Sequence, residues 1–166
     1  MPNYEVFDEK RYFVSGSSPG IFEVNGLRVA LSVCEDIWHE KVVKQAQENG
    51  ANLMLNINAS PFHLRKIEDR KRLISGHAAK YKLPIIYANQ VGGQDELVFD
   101  GTSMAMDGNG KQVLQLDKFK SDSRIISFVE NDDVLITEDE MVIPEDNELE
   151  EVYHCLLYTS PSPRDY

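Results

Sequence analysis

Between Leu27 and Ala88 the hydrophobic period of this chain changes back and forth twice, and that alternation constrains the fold more than anything else in the sequence. Leu27-Arg28-Val29-Ala30-Leu31-Ser32-Val33 reads as a strand. From Asp36 the period lengthens, and Ile37, Trp38, Val42, Val43 and Ala46 mark one face of a helix that stops at Asn49-Gly50. Asn52 to Asn58 is a second apolar run, closed by Ala59-Ser60-Pro61. His63 to Lys82 is a second amphipathic helix, with Ile67, Ile74, Ala78 and Tyr81 on one stripe. Leu83-Pro84 ends it and leads into the strand Ile85-Ile86-Tyr87-Ala88. Strands alternating with helices predict an α/β sheet with helices packed on it. Upstream, Asn25-Gly26 joins Ile21–Val24 to Leu27–Val33 as a hairpin. Downstream, two strands are predicted around Asp107-Gly108-Asn109-Gly110, and Ser123 to Val129 supplies the last.

The 166 residues suit one domain, and 42% hydrophobic with 27% charged residues describes an ordinary globule. The net charge of −11 is concentrated in one place: from Glu130 to Glu151 there are eleven carboxylates and no Lys or Arg. The body up to Val129 balances sixteen acids against sixteen bases, so nucleic-acid binding, which needs a basic face, is not indicated. No apolar run approaches the ~18 residues that span a bilayer. The start, Met1-Pro2-Asn3-Tyr4, lacks the pattern of a secretory signal, which predicts the cytoplasm. Two distant cysteines, Cys34 and Cys155, make no disulfide framework. The four histidines have no metal-ligand spacing, so no metal site is expected.

Cys34 ends an apolar strand and is followed at once by Glu35-Asp36 and a helix. A strand-to-helix corner lifts a side chain out of the sheet, where backbone N–H groups can stabilise an anion; that suits a thiolate nucleophile. The same position also suits a small buried residue at a strand end. Glu35 is open to two readings, a ligand contact or a favourable charge at a helix start. Ser60, before Pro61, is either a ligand contact or a turn residue.

Val33-Cys34-Glu35-Asp36-Ile37-Trp38 resembles the nucleophile motif of the amidohydrolase domain in glutamine-dependent NAD synthetases. Pro2 to Phe13 is similar to the segment that begins Leu-Pro-Asn-Tyr in that family. Asn56-Ile-Asn-Ala-Ser60-Pro61-Phe62 and Tyr87-Ala-Asn89-Gln90 through Asp100-Gly101 are similar to two further blocks. Glu148 to His154 resembles the first turns of the helix that enters the synthetase domain. The resemblance implies a nitrilase-like αββα sandwich, incomplete because N-terminal strands and helices are missing, which should leave an edge and an apolar face uncovered. It implies a Glu-Lys-Cys triad with Cys34 as the nucleophile, and Tyr4, Glu35 and Ser60 holding glutamine. Glu9 matches no catalytic position firmly and reads as a solvated charge or a supporting glutamate. Asp95-Glu96 reads as an active-site-facing loop or a solvated one, and Trp38 as core.

The chain departs from that family at its start. Met1 stands at the Leu position, so the catalytic Lys just before it and the general-base Glu further upstream are not among these residues. Lys10 follows the motif and cannot take that role. The 166 residues alone are therefore expected to be inactive. ATP, with Mg²⁺, belongs to the synthetase domain, whose Ser-Gly-Gly-x-Asp-Ser loop does not occur here; no cofactor is expected in this chain. The resemblance also implies a homo-oligomer in the full-length parent. It divides the chain into residues 1–129, the C-terminal part of the glutaminase domain, and 130–154, an acidic connection toward the synthetase domain. Residues 155–166 resemble a translated sequencing-library adapter, and the natural coding sequence is expected to stop near His154. The alternatives are a stand-alone nitrilase-type amidase or carbamoylase, and a non-catalytic nitrilase-like interaction module.

Overall fold

The computed structural model describes residues 9–14, 16, 18–132, 134–137, 144 and 147–159. A short helix α1 (Glu9–Tyr12) precedes the hairpin β1 (Gly20–Val24) and β2 (Leu27–Val33). At its turn Asn25 and Gly26 both adopt positive φ, 48° and 83°, the type I′ geometry that an Asn-Gly pair accepts at low cost. Then come a 3-10 turn over Cys34–Trp38, α2 (Glu40–Glu48), β3 (Leu53–Asn58), α3 (Lys66–Tyr81) and β4 (Ile85–Asn89). A hairpin β5 (Val91–Gln94) and β6 (Leu97–Asp100) follows, and then β7 (Met104–Met106) and β8 (Gln112–Gln115). The described chain ends with β9 (Val129–Asn131), β10 (Val134–Ile136) and α4 (Glu148–Thr159).

The main sheet has six strands in the order β1-β2-β3-β4-β7-β8. The two pairings that span helices, β2–β3 and β3–β4, are parallel; the remaining neighbours are antiparallel. Helices α2 and α3 pack on one face, where Ala30, Met54, Ile85, Met104 and Met106 from the sheet meet Val43, Ala46, Ile74 and Ala78. The other face carries rows of apolar side chains in register, Leu31–Leu55–Ile86 and Val33–Ile57–Ala88. There Leu31, Val33 and Ile57 are 41%, 62% and 58% exposed, so among the described residues this face is uncovered along β2 and β3, while toward β7 and β8 Ala105 and Leu114 are buried. The six-stranded sheet with α2 and α3 thus forms one sheet and one helical layer of the expected αββα arrangement, beside the two-stranded pairs β5–β6 and β9–β10. None of the described helices is long and apolar enough to cross a membrane.

Two expectations are corrected, and one hairpin is added. The helix expected from Asp36 is broken at His39, which is extended with φ −97° and ψ 107°, because the 3-10 turn before it draws Ile37 into the core. Ser123 to Val129 is not the last strand. Ile126 packs against Ala105, Val113 and Leu114, but Ile125 is 94% exposed and no ladder forms before Val129, which pairs with Ile136. The β5–β6 hairpin was not expected, since Gly92-Gly93 depresses strand propensity and hides its alternation. In the acidic stretch, the Leu135 carbonyl accepts from Gly108 N–H at 2.9 Å, and buried Glu151 pairs with Lys118. Helix α4 continues through Cys155.

A candidate nucleophile site at the carboxyl ends of the parallel strands

Strands β2, β3 and β4 run the same way, and past their carboxyl ends the covered face turns from apolar to polar. In open α/β sheets this is the edge at which ligands bind. Ser32, Asn56, Asn58 and Asn89 are all buried there. Asn58 Nδ2 donates to Asn56 Oδ1 at 2.5 Å, and Asn56 Nδ2 donates to Ser32 Oγ at 2.8 Å and more weakly to the Cys34 carbonyl at 3.4 Å. The asparagines thus brace the backbone at Cys34 from the neighbouring strand.

Cys34 is the first residue beyond β2 and has φ +49°. A residue other than glycine in this region carries a backbone cost of order 1–3 kcal/mol, and such residues cluster at functional sites. The turn is held by Asp36, whose Oδ2 accepts from Val33 N–H at 3.1 Å. From behind, buried His77 on α3 lies beside the Ile37 backbone, where the helical layer meets the 3-10 turn. Burial is the main reason that the His77 imidazole titrates below its ordinary value, with Lys80 adding to the effect and the Ile37 carbonyl and Glu40 opposing it.

Ser60 follows β3. Its N–H donates to Asn89 Oδ1 at 2.9 Å, and its Oγ and carbonyl both accept from Arg70 Nη2 at 3.1 Å. Arg70 is 1% exposed and is paired through Nη1 with Asp100 at 2.9 Å and 3.1 Å; Thr102 Oγ1 also donates to Asp100 at 2.8 Å. The phenol of Tyr87, from β4, lies beside Ser60 and within electrostatic reach of Arg70, Cys34 and Asp100. It makes no hydrogen bond of normal geometry to the described residues. Burial raises its pKa. Lys66 opens α3, half-buried. Burial and then the Arg70 charge lower its pKa, while Cys34, Asp100 and Glu35, all within electrostatic reach, oppose the shift.

Cys34 and Glu35 follow β2 and Ser60 follows its parallel neighbour β3, so the three lie at the same edge of the sheet. Tyr4 lies outside the described residues. Trp38 is 37% exposed rather than core, lining a groove with His77, and Asp95 and Glu96 are exposed at the β5–β6 tip. Among the described residues no three His, Cys, Asp or Glu side chains converge as a metal site would require. Sequence reasoning missed Lys66, Arg70 and Tyr87. Arg70 had a signal: it interrupts the stripe Ile67, Ile74, Ala78 at helical spacing, and an Arg on a buried stripe needs a buried partner.

A family model for carbon-nitrogen hydrolases matches residues 2–138. A glutamine-dependent NAD(+) synthetase of Aquifex aeolicus (strain VF5) is 45% identical over 123 residues, covering 74% of this chain and 22% of that protein. The structure of glutamine-dependent NAD+ synthetase from Acinetobacter baumannii, in complex with ADP, superposes with a TM-score of 0.84 at 39% identity, over 95% of this chain and 30% of that one. A mutant of the amidase from Nesterenkonia sp. AN1 carries the acetamide moiety of fluoroacetamide covalently added at its active site cysteine. It matches with a TM-score of 0.60 at 27% identity, over 69% of this chain and 44% of that one. The chain thus spans 22% to 44% of the length of these three proteins.

Proposed function

The chain belongs to the carbon-nitrogen hydrolase family, and on that premise we propose that it is the cysteine-bearing part of the glutaminase of a glutamine-dependent NAD synthetase. One observation carries the reading: the left-handed turn that presents Cys34 at the carboxyl ends of the parallel strands, near the half-buried ammonium of Lys66. The Cys34 sulfur adds as thiolate to the side-chain amide carbon of glutamine. The C–N bond then breaks with a proton delivered to nitrogen, ammonia leaves and a thioester remains; water cleaves it to glutamate and restores the thiol. The ammonia serves to amidate nicotinate adenine dinucleotide in a synthetase domain outside these residues. The names of the relatives and the covalent adduct on the cysteine of the amidase support this assignment.

Tyr4, Glu35 and Ser60 hold glutamine in this reading, and Lys66 joins them. An ammonium suits the substrate's α-carboxylate and the Glu35 carboxylate suits its α-ammonium, so an amide lacking either group would leave a charged side chain unmatched. The general-base Glu and the catalytic Lys come from sequence upstream of residue 1. Ammonia release by these 166 residues alone is then expected to be at least ~10²–10³ slower than by a chain that includes them. ATP and Mg²⁺ belong to the synthetase domain, and no side chain described here is given a part in holding either. The reading places the protein in the cytoplasm, as a homo-oligomer in its full-length form.

In the full-length gene product, Cys34→Ala is expected to lower glutamine-dependent ammonia release by ~10³ or more while leaving synthesis from added ammonium intact. Undiminished release from glutamine would overturn the assignment. Preference for short aliphatic amides over glutamine would point instead to a stand-alone amidase.

A further inference from the structure

Resting on the glutaminase reading, we propose that Asp36 is a positioning residue. Its side chain holds Cys34 in the left-handed turn that takes the sulfur out of the sheet, and it acts there as a hydrogen-bond acceptor rather than as a charge. Side chains alternate along a strand, so an extended residue at position 34 would share the face of Ala30 and Ser32, which is buried under the helical layer. A nucleophile on that face could not meet a substrate. The chain avoids this within one residue: Val33 is extended, with φ −123° and ψ 126°, and Cys34 follows at φ +49°. A cysteine has no preference of its own for that conformation, which persists only where the surroundings impose it.

Bonds on both sides of Cys34 impose it here. Strand β1 begins at Gly20, opposite Leu31, so it does not extend beside Val33. Asp36 serves in place of a strand there: its Oδ2 accepts from Val33 N–H at 3.1 Å and closes a loop around Cys34 and Glu35. On the other side the Cys34 carbonyl accepts from Asn56 Nδ2 at 3.4 Å, and Asn56 is itself anchored on Ser32 and Asn58. The bond to Asp36 is the shorter of the two, and it is made within the turn. A carboxylate suits the position because both of its oxygens accept and neither donates, so no rotation of the group turns a donor toward Val33 N–H. Its charge works against the chemistry, since a carboxylate two residues from the sulfur disfavours the thiolate. What the position contributes is therefore the bond.

The bond and the charge can be separated. Asp36→Asn keeps an acceptor at the same reach and removes the charge, whereas Asp36→Glu keeps the charge and, one methylene longer, moves the acceptor. The test measures kcat and KM for glutamine-dependent ammonia release by the full-length gene product, with the folding of each variant checked by circular dichroism. Asp36→Asn is expected to keep kcat within ~10-fold of the natural protein, the loss reflecting a neutral acceptor in place of a charged one. Asp36→Glu and Asp36→Ala should each lower kcat ~10²-fold with KM changed less than ~3-fold, as misplacement of a reacting group does. Asp36→Asn no better than Asp36→Glu would overturn the proposal, because the charge would then matter at least as much as the bond. An unchanged kcat in Asp36→Ala would overturn it too, as would a loss carried by KM alone. If Asp36→Ala does not fold, the order of Asn and Glu decides. Each of these failures leaves Cys34-dependent ammonia release in place, so the glutaminase reading stands or falls separately, on Cys34→Ala.

Discussion

Met54 and Asn56 stand two residues apart on the same face of β3, both fully buried, and they belong to different regions of one layer. Met54 sits among Ala30, Ile85, Ile74 and Ala78, where any side chain of similar volume serves. Asn56 sits among Ser32, Cys34 and Asn58, where each polar atom needs a named partner. The apolar end holds the layer together by area removed from water. The polar end is specified bond by bond, and it is there that the strained cysteine is tolerated.

On that contrast, the largest single loss of stability comes from the polar end. Arg70→Met leaves Asp100 buried without its partner and should cost about 3–5 kcal/mol in urea unfolding. Replacing both, Arg70→Met with Asp100→Leu, should recover much of that, since the uncompensated charge is then gone. A double variant no better than the single one would break the comparison. At the apolar end, Met54→Ala should cost about 2–5 kcal/mol by the same measurement, and Met54→Leu less than about 1.5.

The link between the ends is His77, whose imidazole lies beside the turn carrying the cysteine and titrates below its ordinary value because it is buried. The unfolded chain therefore binds the proton more readily than the folded one. The contribution of His77 is fully present above its ordinary pKa of about 6.5 and is lost as pH falls through the lower folded value. Denaturant midpoints between pH 7.5 and 5.5 should fall for the natural protein and fall less for His77→Gln, with Glu40 and Lys80 left as the nearby charges. The smallest effect is a gain. Cys34→Gly relieves the left-handed backbone, so the variant should be inactive yet more stable by about 0.5–1 kcal/mol in the same titrations.

Much of this was legible in the residues. Asn25-Gly26 announced its hairpin, and the end of β2 at Cys34 was read directly, because both depend on neighbours in sequence. The break at His39 was not, because it depends on Ile37 being buried in a core built from residues far along the chain. Lys66 looked like any charge in a first helical turn; only the tertiary arrangement brings it near Cys34 and Glu35. Ser60 was singled out without its orientation, which is set by Arg70 and Asn89 from two other elements. The Gly92-Gly93 strand escaped because its pairing with Leu97–Asp100 is written in backbone rather than side-chain pattern.

The parallel pairing of β2, β3 and β4 has a consequence for the order of events in time. Asn56 and Ser32 are 24 residues apart, Ser60 and Asn89 are 29, and Arg70 and Asp100 are 30, with a helix crossover inside each parallel pairing. Contacts that close such loops are made late in folding, after local helices and hairpins. The surroundings of Cys34, the proposed nucleophile, are therefore assembled last. In a refolding time course, alkylation of Cys34 should change to its native rate only in the final phase. A newly made or partly unfolded chain lacks those surroundings, so the chemistry proposed for Cys34 waits on the completion of the sheet.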